Sequence, residues 1–410
     1  MKENFEYRCR VINFTANKST IKRLYQLNEE SAKVWNHCLD LVEHAYASGH
    51  DVTKSFLQSH TKGYYRLQSA CVQAICERFL EARKGTYESR QMGNNANYPT
   101  HRKTTYPTRW KENGISLLGT GPRYKECGNS YSGVLRLSTH ITKDFLYLKV
   151  KNISYGDIIY VDLIERYGLL KLVITERFPL KEKPYYQESN FVGIDMGEIH
   201  SFSCYDSNQN ACIVTGRELR SLNRLRNKQL GEIQKLQAAC EKYSKRWKEL
   251  QNAKLKMLER NSNQQKDLIH KITTNTIRWC IQHRVTKIII GDIADIARNT
   301  KKEKRLSRKN RQKMSNWATA QLLSKLAYKA KSNGIDIVVI DESYTTKTCP
   351  ACGSHRKPRG RVYECSCGYI AHRDIHGARN ILLKGTRGEI RIYQEDNIQM
   401  HPKTFQYINS

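Results

Sequence analysis

Acidic residues are scarce in this chain. Only 39 Asp and Glu stand against 70 Lys and Arg among 410 residues, leaving a formal net charge of +31. Solubility needs far less, so a polyanionic partner is expected. No run of about 18 apolar residues is present, which excludes a helix that crosses a membrane. The opening MKENFEYRCR reads as neither a signal peptide nor an amphipathic anchor. With no membrane association expected, nucleic acid is the partner to look for. Internal repeats and low-complexity tracts are also lacking, which excludes a solenoid or an array. Proline is absent from 217–283, so nothing there interrupts a long helix. Phenylalanine is sparse, 9 residues against 24 tyrosines.

Cysteine is not scarce, but its total of 13 is odd and no secretion signal precedes it, so reduced thiols are expected. The expected location is a bacterial cytoplasm, at the nucleoid, or a nucleus if the source is eukaryotic. Nine of the cysteines, from Cys9 to Cys280, are scattered and read as core fillers. The other four, Cys349, Cys352, Cys365 and Cys367, are spaced as metal ligands.

A chain of this length can bury two or three cores. Residues 7–16 alternate as a strand, and apolar residues near helical spacing follow at Ile21, Leu24, Trp35, Leu39 and Val42. A second helical stretch covers 67–82. Four strand-like runs then come before residue 180, which describes a β domain interrupted by a helical insertion. From 190 onward three strands read as a meander, and 217–283 as an antiparallel helical pair. A strand (TKIIIGDI), a basic segment, a helix through Trp317 and Leu326, and a last strand (IDIVVID) complete the element order of a ribonuclease H-like fold.

Two acids stand out on this frame. The apolar run FVGI delivers Asp195 to the end of a buried strand, where an unpaired charge is unfavourable unless it has a task. Asp374 opens the helix HRDIHGARNILL, whose small Gly377 and Ala378 would let that helix lie close to the sheet; the competing reading of Asp374 is a helix N-cap. Carboxylates gathered from distant parts of a chain suit a pair of Mg²⁺ ions roughly 3.5 to 4 Å apart, the arrangement that cuts phosphodiesters. Cys349-x-x-Cys352, followed by Cys365-x-Cys367, offers four thiolates, a closed set for a structural Zn²⁺. His355 and His372 lie nearby as weaker alternatives to a cysteine ligand.

Together, GIDMG, IIIGDI, the tryptophan-bearing segment 316–327, SYTTKTCPACG and HRDIHGARNIL, in this order, resemble the TnpB family of insertion-sequence nucleases, with its Fanzor and compact type V CRISPR relatives. The resemblance is firm over the C-terminal half and one of layout over the N-terminal half. It implies an α/β multidomain protein: a RuvC/ribonuclease H-like catalytic domain with an inserted zinc ribbon, plus an N-terminal β wedge domain with a helical recognition insertion. The boundaries expected are 1–18 with 96–189 for the wedge and 19–95 for the recognition insertion. Residues 190–346 with 370–410 form the nuclease domain, with 217–283 as its helical insertion, and 347–369 form the ribbon.

In activity the resemblance implies an RNA-guided, Mg²⁺-dependent DNA endonuclease, a monomer on one guide RNA that cuts double-stranded DNA beside a short motif. The family's middle acid is a glutamate at the position of Gly291, so this chain departs from the pattern. Glu342, at the end of the next strand, is the expected substitute. Asp292 is a second candidate, although strand alternation points it to the opposite face from residue 291. A dead centre, leaving a guided DNA-binding repressor, is the competing reading, and a structure-selective resolvase without RNA is a third.

Three further expectations concern nucleic-acid contact. Residues 301–313 carry eight Lys or Arg and one Glu, and Lys301, Lys302, Arg305 and Arg308 would clamp phosphates. The resemblance also puts Gln73 on the helix that meets the DNA motif. Tyrosine pairs such as Tyr64-Tyr65 and Tyr185-Tyr186 could stack on bases, while packing at a domain surface is the expected role of any single tyrosine, so none is named as a contact.

Overall fold

The computed structural model describes residues 5–47, 52–102, 104–118, 131–153, 157–179, 190–292, 307, 312, 316–358, 360–391 and 401–409. Lys301, Lys302, Arg305, Arg308 and the Tyr185-Tyr186 pair lie outside them. The chain divides into two compact units, Met1–Leu180 and Lys181–Ser410.

In the first unit, strands β1 (Phe5–Ile12) and β2 (Phe14–Thr15) precede helices α1 (Lys18–Ala47), α2 (Lys54–Thr61) and α3 (Ser69–Gln91). Strands β3 (Thr108–Lys111), β4 (Ile115–Leu118), β5 (Tyr131–Ser138), β6 (Phe145–Ile153), β7 (Asp157–Arg166) and β8 (Leu169–Pro179) follow. They form two four-stranded antiparallel sheets, β1-β8-β7-β3 and β2-β6-β5-β4. The alternating residues Leu135, Leu137, Leu146, Leu148, Val161 and Leu163 face one core, which also holds Trp35 and Phe79 from the helices. Buried Asp162 on β7 accepts hydrogen bonds from Arg109 Nε and Nη2 at 2.8 Å and from Arg78 Nη2 at 3.0 Å, tying β7 to β3 and α3. Sequence reading missed α2, whose eight residues are too short for a periodic signal, and the four-residue strands β3 and β4.

The second unit has the meander β9 (Asn190–Asp195), β10 (His200–Asp206) and β11 (Asn210–Thr215), then the helices α4 (Arg217–Ala238) and α5 (Lys245–Gln282). Bonds from Gln237 to Gln251, Gln265 to Asn223 and Asn261 to the Leu222 carbonyl run in reverse order along these two helices, so they pair antiparallel. Next come β12 (Val285–Asp292), α6 (Thr319–Ser332), β13 (Asp336–Asp341), the small strands β14 (Val362–Glu364) and β15 (Ile370–His372), α7 (Arg373–Arg387) and β16 (Thr404–Ile408). Trp317 precedes α6 rather than lying within it. The expected tryptophan-bearing helix therefore starts at Thr319.

The six-stranded sheet runs β13-β12-β9-β10-β11-β16. β12 is parallel to both β9 and β13, β10 is antiparallel to its neighbours, and β16 adds parallel to β11. Strand alternation divides its two faces. Val192, Ile194, Ile288 and Ile290 pack with α5 and α6, whereas Phe191, Ile289 and Ile340 pack with α7. β16 was not foreseen, because TFQYI is short and its alternating Phe405 and Tyr407 stay exposed.

Candidate metal centre

The side chains of β9 that alternate with Val192 and Ile194 are those of Phe191, Gly193 and Asp195, so the last of them carries its carboxylate to the α7 face. The same parity on β12 turns Gly291 toward α7 and Asp292 away from it, and on the segment after β13 it turns Glu342 toward α7 with Ile340. α7 lies tight against this face because Gly193 leaves room for its backbone at Ala378 and Leu382. Its first turn supplies Asp374. Three of the expected acids, from three distant parts of the sequence, thus share one end of one face.

Their charges act on one another through Asp195, although their oxygens do not form a set within 4.8 Å of one another. A β-carbon on Gly377 would stand 2.7 Å from Asp195 Oδ2. At Gly291 it would stand 2.6 Å from Glu342 Oε2 and 2.9 Å from Glu342 Cβ, so the side chain of Glu342 occupies the volume that a residue with a side chain on β12 would claim. Charge is frustrated here. Desolvation first, then the charges of Asp374 and Glu342, hold the Asp195 carboxyl well above the usual carboxylate range. Burial, with Asp292 and Asp341, pushes Glu342 up to about 7. Hard carboxylate oxygens that cannot all ionise comfortably together are a fitting donor set for a divalent cation. Asp292 is exposed, and it acts on Glu342 through charge.

Sequence reading overlooked His200. It begins β10, is only 5% exposed, and brings Nδ1 to 2.9 Å from Asp374 Oδ2. Its ring stacks at 5.7 Å on that of His372, which ends β15. Burial holds both imidazoles below their ordinary value. The available signal was weak: a histidine at a strand start has many structural uses. Arg361 Nη1, at 3.3 Å, and Arg373 Nε, at 3.4 Å, also reach the Asp374 carboxylate from half-exposed positions.

Cys349, Cys352, Cys365 and Cys367 converge at the other end of the β14–β15 hairpin. Their sulfurs approach to 3.6 Å (Cys349 to Cys367) and 3.5 Å (Cys352 to Cys365). Four thiolates on a tetrahedral Zn²⁺ with bonds of about 2.3 Å are about 3.8 Å apart, so the set fits zinc. The one-residue spacing of the second pair is accommodated by Gly368, whose φ of 91° lies where a side chain would be strained. His355 bonds to Thr348 and stays outside the cluster, and His372 belongs to the Asp374 group instead. The ribbon is fastened to α7: Asn380 Nδ2 donates to the carbonyls of Thr345 and Thr348 at 2.7 and 2.8 Å, and His376 stacks on Tyr363 at 3.8 Å.

Of the remaining candidates, Gln73 is exposed on α3 and Tyr64 is exposed, while Tyr65 bonds to His37 at 2.7 Å. Six of the nine scattered cysteines are buried as expected, but Cys9 is exposed and Cys240 half-buried.

Residues 176–297 match the OrfB_IS605 family model, described as "Probable transposase", and residues 320–381 match the "Cas12f1-like, TNB domain" model. The chain belongs to the TnpB family. TnpB-like protein MJ0751 of Methanocaldococcus jannaschii is 27% identical over 194 residues, which are 47% of this chain and 67% of that protein. TnpB-like protein L79 of Acanthamoeba polyphaga mimivirus is 29% identical over 204 residues, 49% and 38% of the two chains. A CRISPR-associated endodeoxyribonuclease, Cas12f1 of Sulfoacidibacillus thermotolerans, is 36% identical over 74 residues, 17% of this chain and 18% of its own.

This TnpB-family chain therefore spans about two thirds of the archaeal relative and less than half of the other two. In fold it resembles a Cas12f1 protein solved with single-guide RNA and target DNA (TM-score 0.61, 14% identity, 88% of this chain and 82% of that one). It also resembles a mini-RNA-guided endonuclease, CRISPR-Cas_phi3 (TM-score 0.55, 9% identity, 92% of each chain). No described helix is long and apolar enough to cross a membrane.

Proposed function

We propose that this chain is an RNA-guided DNA endonuclease whose Asp195, Glu342 and Asp374 hold two Mg²⁺ ions. What supports the reading is that Asp195 and Glu342 face α7, which carries Asp374, that Asp195 feels the charge of both other acids, and that Glu342 fills the space above Gly291. When bound, the ions would activate water for in-line attack and neutralise charge on the departing 3′ oxygen. The protein's own part is to fix three oxygen donors on rigid elements and to keep them partly dry. Raised carboxyl pKa values are the local signature of that work. The sheet order, with a three-strand meander followed by parallel β12 and β13, supports a ribonuclease H-like, RuvC-type domain.

On this reading residues 1–18 and 96–189 are the β wedge domain and 19–95 the helical recognition insertion. Residues 190–346 and 370–410 are the nuclease domain, and 347–369 the zinc ribbon. A guide RNA pairs with one strand of double-stranded DNA, one protein per RNA, and the net charge of +31 answers both polyanions. Zn²⁺ on the four cysteines keeps the segment leading into Asp374 in place. Exposed Gln73 is a candidate contact to the DNA motif, and Lys301, Lys302, Arg305 and Arg308 to its phosphates.

Cleavage of a plasmid library by the protein, co-expressed with RNA from its flanking locus, tests the proposal. Asp195→Ala and Glu342→Ala should abolish cutting, whereas Asp292→Ala should retain it. Tight, guided binding by wild type without cutting in Mg²⁺ would replace the nuclease with a guided repressor. Cutting of branched DNA without any RNA would favour a resolvase.

A further inference from the structure

The carboxylate centre has imidazole on one flank, and the nuclease reading alone gives that imidazole no task. His200, His372 and Asp374 each offer a ligand atom, and these atoms lie within 4.8 Å of one another. Among the described residues, Nε2 of buried His200 and Nδ1 of His372 are buried without a hydrogen-bond partner, and Nδ1 of His200 has only the Asp374 carboxylate. Leaving such nitrogens unsatisfied is unfavourable unless something takes their lone pairs.

The separation between His200 Nδ1 and Asp374 Oδ2 is 2.9 Å. It matches the edge between neighbouring ligands of an octahedral ion with bonds of about 2.1 Å, which is about 3.0 Å. Arg361 and Arg373 contact the same carboxylate, but their side chains are 43% and 45% exposed and can swing into solvent, whereas buried His200 is fixed.

We propose that His200, backed by His372, donates imidazole nitrogen to a divalent ion on Asp374, making this a mixed nitrogen and oxygen site that binds Mn²⁺ more tightly than Mg²⁺. Mg²⁺ favours an all-oxygen shell of strict geometry, whereas Mn²⁺, which opens the first-row affinity series for nitrogen and oxygen donors, accepts an imidazole more readily. The inference rests on the proposed carboxylate centre, since it adds ligands to one of its members. It is not a second ribbon: the four thiolates form a separate, sulfur-only set.

The test is Mn²⁺ binding to the full zinc-loaded chain, read by electron spin-echo envelope modulation, which detects nitrogen bonded to the ion. Nitrogen modulation is expected in wild type and should be lost in the double variant His200→Ala, His372→Ala, with Mn²⁺ affinity down by about tenfold or more. Wild-type Mn²⁺ without nitrogen modulation, or modulation that persists in the double variant, would overturn the assignment. Because the wild-type spectrum is itself decisive, a variant that folds poorly does not rescue or sink the idea.

Guided cutting in Mg²⁺ by the same preparation separates the two readings. Cutting without nitrogen modulation defeats the imidazole site and leaves the nuclease standing. Modulation without cutting defeats the nuclease and leaves the imidazole site.

Discussion

Glu342 Oε2 lies 2.6 Å from where the β-carbon of residue 291 would be if that residue were not glycine. The absence of a side chain on β12 and the presence of one after β13 are therefore one structural fact. The TnpB resemblance would put the middle acid at 291, and the Glu342 carboxylate reaches that volume from beyond the neighbouring strand, whose Ile340 pairs in parallel with Gly291.

Gly291→Ala should accordingly push Glu342 off its position. A misplacement on the order of 1 Å lowers cutting about 10²-fold, while overpacking costs about 1–3 kcal/mol of stability. Guided cleavage rates and thermal melting separate the two effects. The paired change Gly291→Glu with Glu342→Gly returns a carboxylate to β12 and should recover part of the lost rate; no recovery would mean that Glu342 acts from a different place.

Stability should depend on pH through the same acids. Asp195 and Glu342 hold protons more tightly folded than unfolded, so the folded chain binds more protons and unfolding free energy falls as pH rises. For Glu342 the window runs from its ordinary 4.5 to about 7. In Mg²⁺-free buffer, with no chelator so that zinc stays bound, melting temperature should drop between the lower and upper ends of that window. Glu342→Gln should remove about 1–2 kcal/mol of that drop, after allowance for solvent screening. A wild-type profile that rises across the window would contradict the carboxylate assignment.

Zinc removal should reach the acids. β15 ends at His372 and α7 starts at Arg373, so Asp374 hangs directly on the ribbon's last strand. Cys365→Ser should lower zinc content from about one per chain toward none and weaken cutting with it. Metal analysis and cleavage rate, measured on the same sample, would show whether the two losses travel together.

Away from the centre, Asp162→Ala leaves Arg78 and Arg109 without their shared carboxylate. Stability should fall by about 3–5 kcal/mol, readable in denaturant unfolding of the whole chain. Loss of less than about 1 kcal/mol would place this group with ordinary surface ion pairs.

What the sequence made readable was local. Asp195, Asp374 and the four cysteines are announced by neighbours within a few residues: an apolar run, a helix start, a ligand spacing. Glu342 needed one further inference, that the strands before it and before Asp292 are parallel neighbours, and their pairing is of that kind. His200 was out of reach because its significance comes from His372 and Asp374, more than 170 positions along the chain, and no local pattern announces it. β16 escaped for a similar reason: backbone pairing with β11, rather than an apolar face, makes TFQYI a strand.

That last strand also sets an order of events during synthesis. Thr404 bonds to Asn210 across 194 positions of sequence. The β9–β11 meander therefore leaves the ribosome long before its outer partner exists, and the edge of β11 waits with unpaired backbone groups. Open edges of this kind invite pairing with other chains. A nascent chain halted before residue 404 lacks the strand that covers β11, and its sheet then ends on β11 instead of on β16.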